Sequence, residues 1–254
     1  MTELAATHEP LAQDRQSQAW PRASNRLTAG HGLSANLGIH SQNRQFCAVL
    51  TLCIVATTAT RPEPGQGARE RILDTAYELF SHRGIHDVGV DELVERACVA
   101  KATLYKHFNS KDELVLAFLE RREQIWTYGW VEREARRRGE TAEEQLLAIF
   151  DLFDEWFHGD DFEGCSFIKV LLEFGDLDHP VGRASADYLE NIRSLVRNLA
   201  LEAGLRDPDA FALSWHILMK GSIVQAGEGD HEAAKRAKSM GRLLIDQQIG
   251  RAHV

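Results

Sequence analysis

Long apolar stretches are missing from this sequence. The longest, Phe46 to Ala59, covers 14 residues and is broken by Thr51, Thr57 and Thr58, whereas a bilayer span needs about 20. It also lies too deep in the chain for the usual secretory leader, so no membrane partner is expected. Cysteine is equally scarce. The four residues at 47, 53, 98 and 165 form no C-x-x-C pair and no dense framework. In a chain of 254 residues that usage fits a reduced, cytoplasmic protein better than a disulfide scaffold or a zinc finger. Nor is there an excess of positive charge. Lysine and arginine number 29 against 38 acids, a net charge of −9, which excludes a uniformly basic nucleic-acid coat.

Catalytic signatures are missing too. No P-loop, G-x-S-x-G elbow or H-E-x-x-H zinc motif occurs. His158, Asp160, Asp161 and Cys165 lie close in sequence, but their spacing matches no familiar metal site, and Gly159-Asp160-Asp161 reads as a loop. No enzyme activity, metal or cofactor is expected. Strand alternation of any length is absent. With 44% hydrophobic and 26% charged residues, the chain has ordinary globular usage and enough apolar side chains for a core.

What is present is helical periodicity. Residues 1–67 lack it, scattering Gly, Ser, Asn, Gln and Pro before a linker-like Arg61-Pro-Glu-Pro-Gly-Gln-Gly67. They read as a disordered extension or a start assigned too far upstream, with a leader or anchor as the competing reading. From Ala68 the pattern changes. Ile72, Leu73, Ala76, Leu79 and Phe80 share a helical face that Gly84 terminates. A short helix follows with Val90, Leu93, Val94 and Ala97 inward, then another over about 101–108. Ser110 and Glu113 form an S-x-x-E capping box opening a long helix through Leu114, Phe118 and Ile125. Further helices are predicted over about 141–157, with Leu146, Ile149, Phe150, Phe153 and Trp156 inward, and over 167–174, 180–203, 208–225 and 231–248. Asp207-Pro208 is a strong start signal for the fourth of these. The fold class is all-α.

The second and third short helices are joined by Ala97-Cys98-Val99-Ala100, a helix-turn-helix spacing whose later helix enters a major groove. Its inward positions are Leu93, Val94, Val99, Leu104 and Phe108. The outward ones, Lys101, Ala102, Thr103, Tyr105, Lys106 and His107, offer the donors that phosphate oxygens need. Cys98 reads as a small buried turn residue.

This stretch resembles the TetR family of bacterial regulators. The match runs through Ile72-Leu73-Asp74-Thr75-Ala76, Leu79-Phe80, Arg83-Gly84 and Val90-Asp91-Glu92-Leu93. It is strongest over Ala97-x-Val99-x-Lys101-x-Thr103-Leu104-Tyr105-x-His107-Phe108-x-Ser110-Lys111-Asp112-Glu113-Leu114. The resemblance implies a DNA-binding domain over 68–113 and a helical regulatory and dimerisation domain over 114–254. It implies that Thr103, Tyr105, His107 and Lys111 hold the DNA backbone, that Lys101, Ala102 and Lys106 face bases, and that Arg69 and Arg71 begin a helix near phosphate or the minor groove. Three departures stand out. The usual Gly-Val-Ser turn reads Cys98-Val99-Ala100, which removes a serine N-cap at a cost of about 1 kcal/mol. Ala102 replaces a glycine, and Gly89 replaces a hydroxyl cap.

The charge is distributed unevenly: +1 over residues 1–67, −1 over 68–122 and −9 over 123–254. The acidic half is rich in large side chains, whose first use is a core. By resemblance they also surround an apolar inducer pocket, with Trp126, Phe150, Phe153, Trp156, Phe167, Trp215 and Met219 as candidates and His216 as a polar anchor. The resemblance further implies a homodimer through the last two helices, with Gly221, Ala226, Ala233, Ala234, Ala237 and Gly241 allowing close approach. A two-fold pair suits DNA physically, because one recognition helix reads only a few base pairs. The implied function is a repressor that binds a palindromic operator as a homodimer and is released by a small, largely apolar effector. The alternative is a module that keeps the fold for protein interaction and has lost specific DNA binding.

Overall fold

The computed structural model describes residues 67–249. The extension before Gly67 and the apolar run within it lie outside these residues. The described residues are helical, with no strand among them.

Helix α1 (Ala68–Arg83) buries Ile72, Leu73, Ala76, Leu79 and Phe80 along one stripe, as the spacing predicts. It stops at Gly84, where φ is 87° and the N–H returns to the Phe80 carbonyl at 3.1 Å. A Cβ there would collide with the Glu173 carboxylate, so the left-handed backbone and the close neighbour both demand glycine. Helices α2 (Val90–Arg96) and α3 (Lys101–His107) are too short to be stable alone. Leu93, Leu104 and Phe108, all fully buried, hold them against α1.

The turn between α2 and α3 departs from expectation. Val99 N–H donates to the Val94 carbonyl at 3.0 Å and Cys98 N–H to that of Glu95 at 3.1 Å. Those bonds make a Schellman-type ending whose left-handed position, usually glycine, is Cys98 at φ 52°. The side chain of a residue in that position projects outward, so Cys98 is exposed and not the buried turn residue expected. Ala100 caps α3 with no side-chain acceptor.

A long composite helix, α4, begins behind Ser110, whose hydroxyl accepts from Glu113 N–H at 3.1 Å. The reciprocal half of the expected capping box is shifted by one residue, because Glu113 accepts instead from Asn109 N–H at 2.7 Å. After Lys111–Arg122 the backbone widens into a π-helix over Glu123–Glu132 and returns to α-geometry over Arg133–Arg138. The wider winding keeps Trp126, Thr127 and Val131 inward. It leaves Ile125, placed inward by a strict α-helical period, 40% exposed.

Helix α5 (Ala142–Phe157) opens with a full Thr141–Glu144 capping box and buries Leu146, Ile149, Phe150 and Phe153, while Trp156 is half-buried. Helices α6 (Ser166–Phe174) and α7 (Pro180–Glu202) follow. Asp207 caps α8 (Pro208–Gly227) by accepting from Ala210 N–H at 3.0 Å, with proline at its first position. Helix α9 (Ala233–Ile249) packs on α5 and α8. Its small residues Ala233, Ala234, Ala237 and Gly241 are buried within the chain, as is Ala226 of α8, and do not face a partner as expected. The reason is Trp215: a Cβ on Gly241 would lie 2.7 Å from its ring and 3.2 Å from that of Phe150. Only Gly221 of the small-residue set is exposed.

Candidate nucleic-acid interface

The outer face of α3 follows from its two anchors. With Leu104 and Phe108 buried, helical geometry turns Lys101, Ala102, Tyr105 and Lys106 to solvent on one face. Thr103 and His107 flank that face and are half-buried. Between Glu95 and Asp112 the sequence holds Arg96, Lys101, Lys106 and Lys111 and no carboxylate. The near-neutral total of α1–α3 thus hides a basic edge. Arg96 pairs with Glu78 at 2.6 Å and Arg83 with Glu92 at 2.5 Å, which occupies acids on other faces.

Two of the cations are already engaged. Lys101 Nζ lies 2.7 Å from Asp91 Oδ1, and that hydrogen bond raises its pKa. An exposed pair of this kind exchanges easily for phosphate. Lys111 is half-buried and donates to the Ile85 carbonyl at 2.6 Å, its pKa lowered by burial. Its ammonium retains two other N–H groups. The Arg69 guanidinium stacks on the Phe108 ring at 5.0 Å, bringing the start of α1 beside the end of α3. Arg71 donates to the Ala97 carbonyl at 3.3 Å and braces the turn. Neither the Asp91 partner nor the Arg69–Phe108 stack carries a local sequence signal, since each joins residues ten or more positions apart.

The end of α1 is gripped from α6. Glu173 accepts from the N–H groups of Ile85 at 2.8 Å and His86 at 2.9 Å. Lys169 donates to the Ser81 carbonyl at 2.9 Å. Glu163 joins the buried Arg122 at 2.9 Å and His82 at 3.1 Å, and Arg122 also donates to the Tyr77 hydroxyl at 3.1 Å. Sequence reading found none of these contacts.

Of the eight pocket candidates seven are buried and Trp156 is half-buried, and five of them are joined by ring contacts. Trp126 touches Phe153 and Trp156 at ring separations of 6.0 and 5.5 Å, and Phe150 lies 5.0 Å from Trp215. Phe167 stacks on Tyr188 at 5.3 Å, and Met219 is buried. His216 is buried too, its pKa pushed down to about 3 by desolvation and by the charges of Lys220 and Arg193. A cleft of about 550 Å³ lies elsewhere, between residues 162–169 and the end of α8, and none of the eight lines it.

The histidine cluster noted in the sequence assembles differently as well. His158 meets Asp154 and Glu232, not Asp160, Asp161 or Cys165, at 3.6 and 3.7 Å. Lys235 supplies a cation there, 2.9 Å from Glu232.

The family model for bacterial regulatory proteins of the TetR family matches residues 72–118, the segment running from α1 through the start of α4. A TetR-family transcriptional regulator from Streptomyces coelicolor has a similar structure, with a TM-score of 0.66 and 29% identity over 71% of this chain and 95% of that one. The chain thus has a TetR-like fold, and residues 72–118 are its TetR-type helix-turn-helix segment. Among sequence relatives, the HTH-type transcriptional activator FasR of Mycolicibacterium smegmatis is 37% identical over 97 residues, 38% of this chain. That match spans only 43% of the relative's length. The HTH-type transcriptional regulator YjdC of Escherichia coli is 22% identical over 66% of this chain and 90% of its own. The segment matched by the TetR-family model contains every residue of the α3 face. No described helix is long and apolar enough to cross a membrane.

Proposed function

We propose that the protein is a cytoplasmic transcriptional regulator, a repressor, that binds a palindromic operator as a homodimer and is released by a small, largely apolar effector. The observation that carries the reading is the α3 face: two lysines, a tyrosine and an alanine turned to solvent from a helix anchored by Leu104 and Phe108. Lys101, Ala102 and Lys106 lie at the base edges. Thr103, Tyr105, His107, Lys111 and Arg69 hold phosphates and fix the register. Lys101 exchanges Asp91 for the duplex on binding.

Dimerisation has a surface to use. Leu213, Ile217 and Val224 of α8 and Met240 and Leu243 of α9 are each at least half exposed. On α8 they recur at helical spacing, with Gly221 in the same stripe, and an apolar stripe of this kind marks an association face. Pairing through it places two copies of α3 for half-sites about 34–36 Å apart. A ligand that favours another separation of the two heads shifts the population away from the DNA-bound form.

The interaction-module reading draws on the Lys101–Asp91 pair and on the contact of Lys111 with Ile85, which together leave Lys106 as the freest cation of the face. Fluorescence anisotropy separates the two. The protein is titrated against DNA from upstream of its own gene, and against a scrambled duplex, at several salt concentrations. Specific retention with a steep salt slope supports the regulator; equal, feeble binding to both duplexes supports the module. Within a regulator, Tyr105→Phe with Lys111→Ala weakens all duplexes alike, whereas Lys106→Ala changes which bases are preferred.

A further inference from the structure

The cleft beside α6 shares its wall with the grip on α1. Its polar lining includes Glu163 and Lys169, and these same residues hold His82 and the Ser81 carbonyl. Its apolar lining is Phe162, Ile168, Ile223, Val224 and Ala226. A volume of about 550 Å³ is in the range that encloses a small organic ligand.

The charges around this cleft are unbalanced. Lys169 bonds a neutral carbonyl, and among the described residues no carboxylate lies in ion-pair contact with it, although Glu163 and Glu173 are near enough to act on it through space. Lys220, one turn before Ile223 on α8, has no acid paired with it among the described residues, and its neighbours include Arg193 and the Cys165 thiol that lines the cleft. Arg122 sits behind Glu163. Lys169 thus lines the cleft, with Lys220 and Arg122 next to its lining residues Cys165 and Glu163, and the two carboxylates near Lys169 are engaged elsewhere, Glu163 by Arg122 and Glu173 by the amides of Ile85 and His86. Burial lowers the pKa of both lysines, the response of a cation short of a counter-ion.

We propose that this cleft is the effector site, that it takes a carboxylate carried on an apolar chain, and that Lys169 reads the carboxylate by leaving the Ser81 carbonyl. The apolar chain lies along Ile168 and Ile223, with Lys220 as the second cation. Lys169 and Glu173 are four residues apart on α6, on one face of the helix. Drawing Lys169 into the cleft loosens the hold of both on the end of α1, which frees the head to change its angle. The site deepens the regulator reading and rests on it for the meaning of that release, but binding to the cleft is measurable without DNA.

The test uses the full chain, with sodium decanoate and its neutral methyl ester as probes. Phe162 lies 4.9 Å from the Trp156 ring, so tryptophan fluorescence reports occupancy. Decanoate is expected to bind about tenfold more tightly than the ester, the worth of one charge-assisted hydrogen bond. Lys169→Gln abolishes that preference, Lys169→Arg keeps it, and Lys220→Gln reduces it. Both position-169 variants keep a polar side chain, and thermal melts check their folding. Amide exchange at Ile85 and His86 is expected to accelerate with decanoate bound. Equal binding of acid and ester, or an undiminished preference in Lys169→Gln, overturns the site; unchanged exchange at those two amides overturns the release. If decanoate fails while operator DNA is still bound specifically, this inference falls and the regulator reading stands.

Discussion

The head and the body of this chain are stabilised in different ways. Helices α1–α3 are tied by a few fully buried residues, Leu93, Leu104 and Phe108 among them, and much of their surface is spent on polar contacts. Helices α5 and α7–α9 enclose an aromatic interior in which Phe150, Phe153, Phe211 and Trp215 touch one another or common neighbours. A small domain organised by local turns is tuned by caps and backbone angles. A large one organised by long-range packing is tuned by volume. The junction between them combines both, with a buried ion pair at its centre.

The largest effect is expected at that junction. Arg122→Met leaves the Glu163 carboxylate, 12% exposed, with the exposed His82 as its remaining ion-pair partner among the described residues, and should cost about 3 kcal/mol in urea unfolding, the low end for a broken buried pair. Adding Glu163→Gln should recover part of that loss, because the stranded charge is then gone. A cost below about 1 kcal/mol for the single change would mean the pair is solvated.

Next comes the packing of the body. Gly241→Ala drives a methyl group into Trp215 and Phe150 and should cost about 1–3 kcal/mol, the usual penalty for overpacking. The same substitution at the exposed Gly221 should be neutral or slightly stabilising for the monomer, since alanine is the better helix former. Equal effects at the two sites would contradict the inward placement of Gly241.

The body should also carry a pH signature at His216. His216 has a folded pKa of about 3 against 6.5 for the free side chain. The unfolded chain therefore binds the extra proton first. The stability this residue contributes is full above about pH 6.5 and is lost as pH falls towards 3, by about 1.4 kcal/mol for each unit. Urea midpoints between about pH 7 and pH 5 should fall less steeply in His216→Leu than in the parent chain.

The smallest effect is in the head and has the opposite sign. Cys98→Gly relieves a left-handed backbone at φ 52° and should stabilise the chain by about 1 kcal/mol. Ala100→Ser should add a similar amount by restoring an acceptor at the start of α3. Thermal melts check both; a loss on Cys98→Gly would show that the thiol makes a contact of its own.

These differences track what the sequence reveals. The helix-turn-helix was legible because its signals are local: Gly84, the Leu93–Leu104–Phe108 spacing, and the Ser110 cap all act within a few residues of where they stand. Helix starts at Thr141 and Asp207 were legible for the same reason. The π-helical winding at Glu123–Glu132 was not, because it arises from seating Trp126 and Val131 together against other helices. The inward turn of Gly241 depends on Trp215, far away in sequence. So does the grip of Glu173 on Ile85, 88 residues away. A list of large apolar residues found the core correctly, yet could not show which of them border open space.

Operator binding of the proposed kind requires two copies of α3 in successive major grooves on one side of a duplex. Hydroxyl-radical footprinting on the upstream DNA, with the protein-to-duplex ratio measured on the same complex, tests this directly. Two protected segments about one helical turn apart, with two chains per duplex, are predicted. A single protected segment, or one chain per duplex, would contradict it.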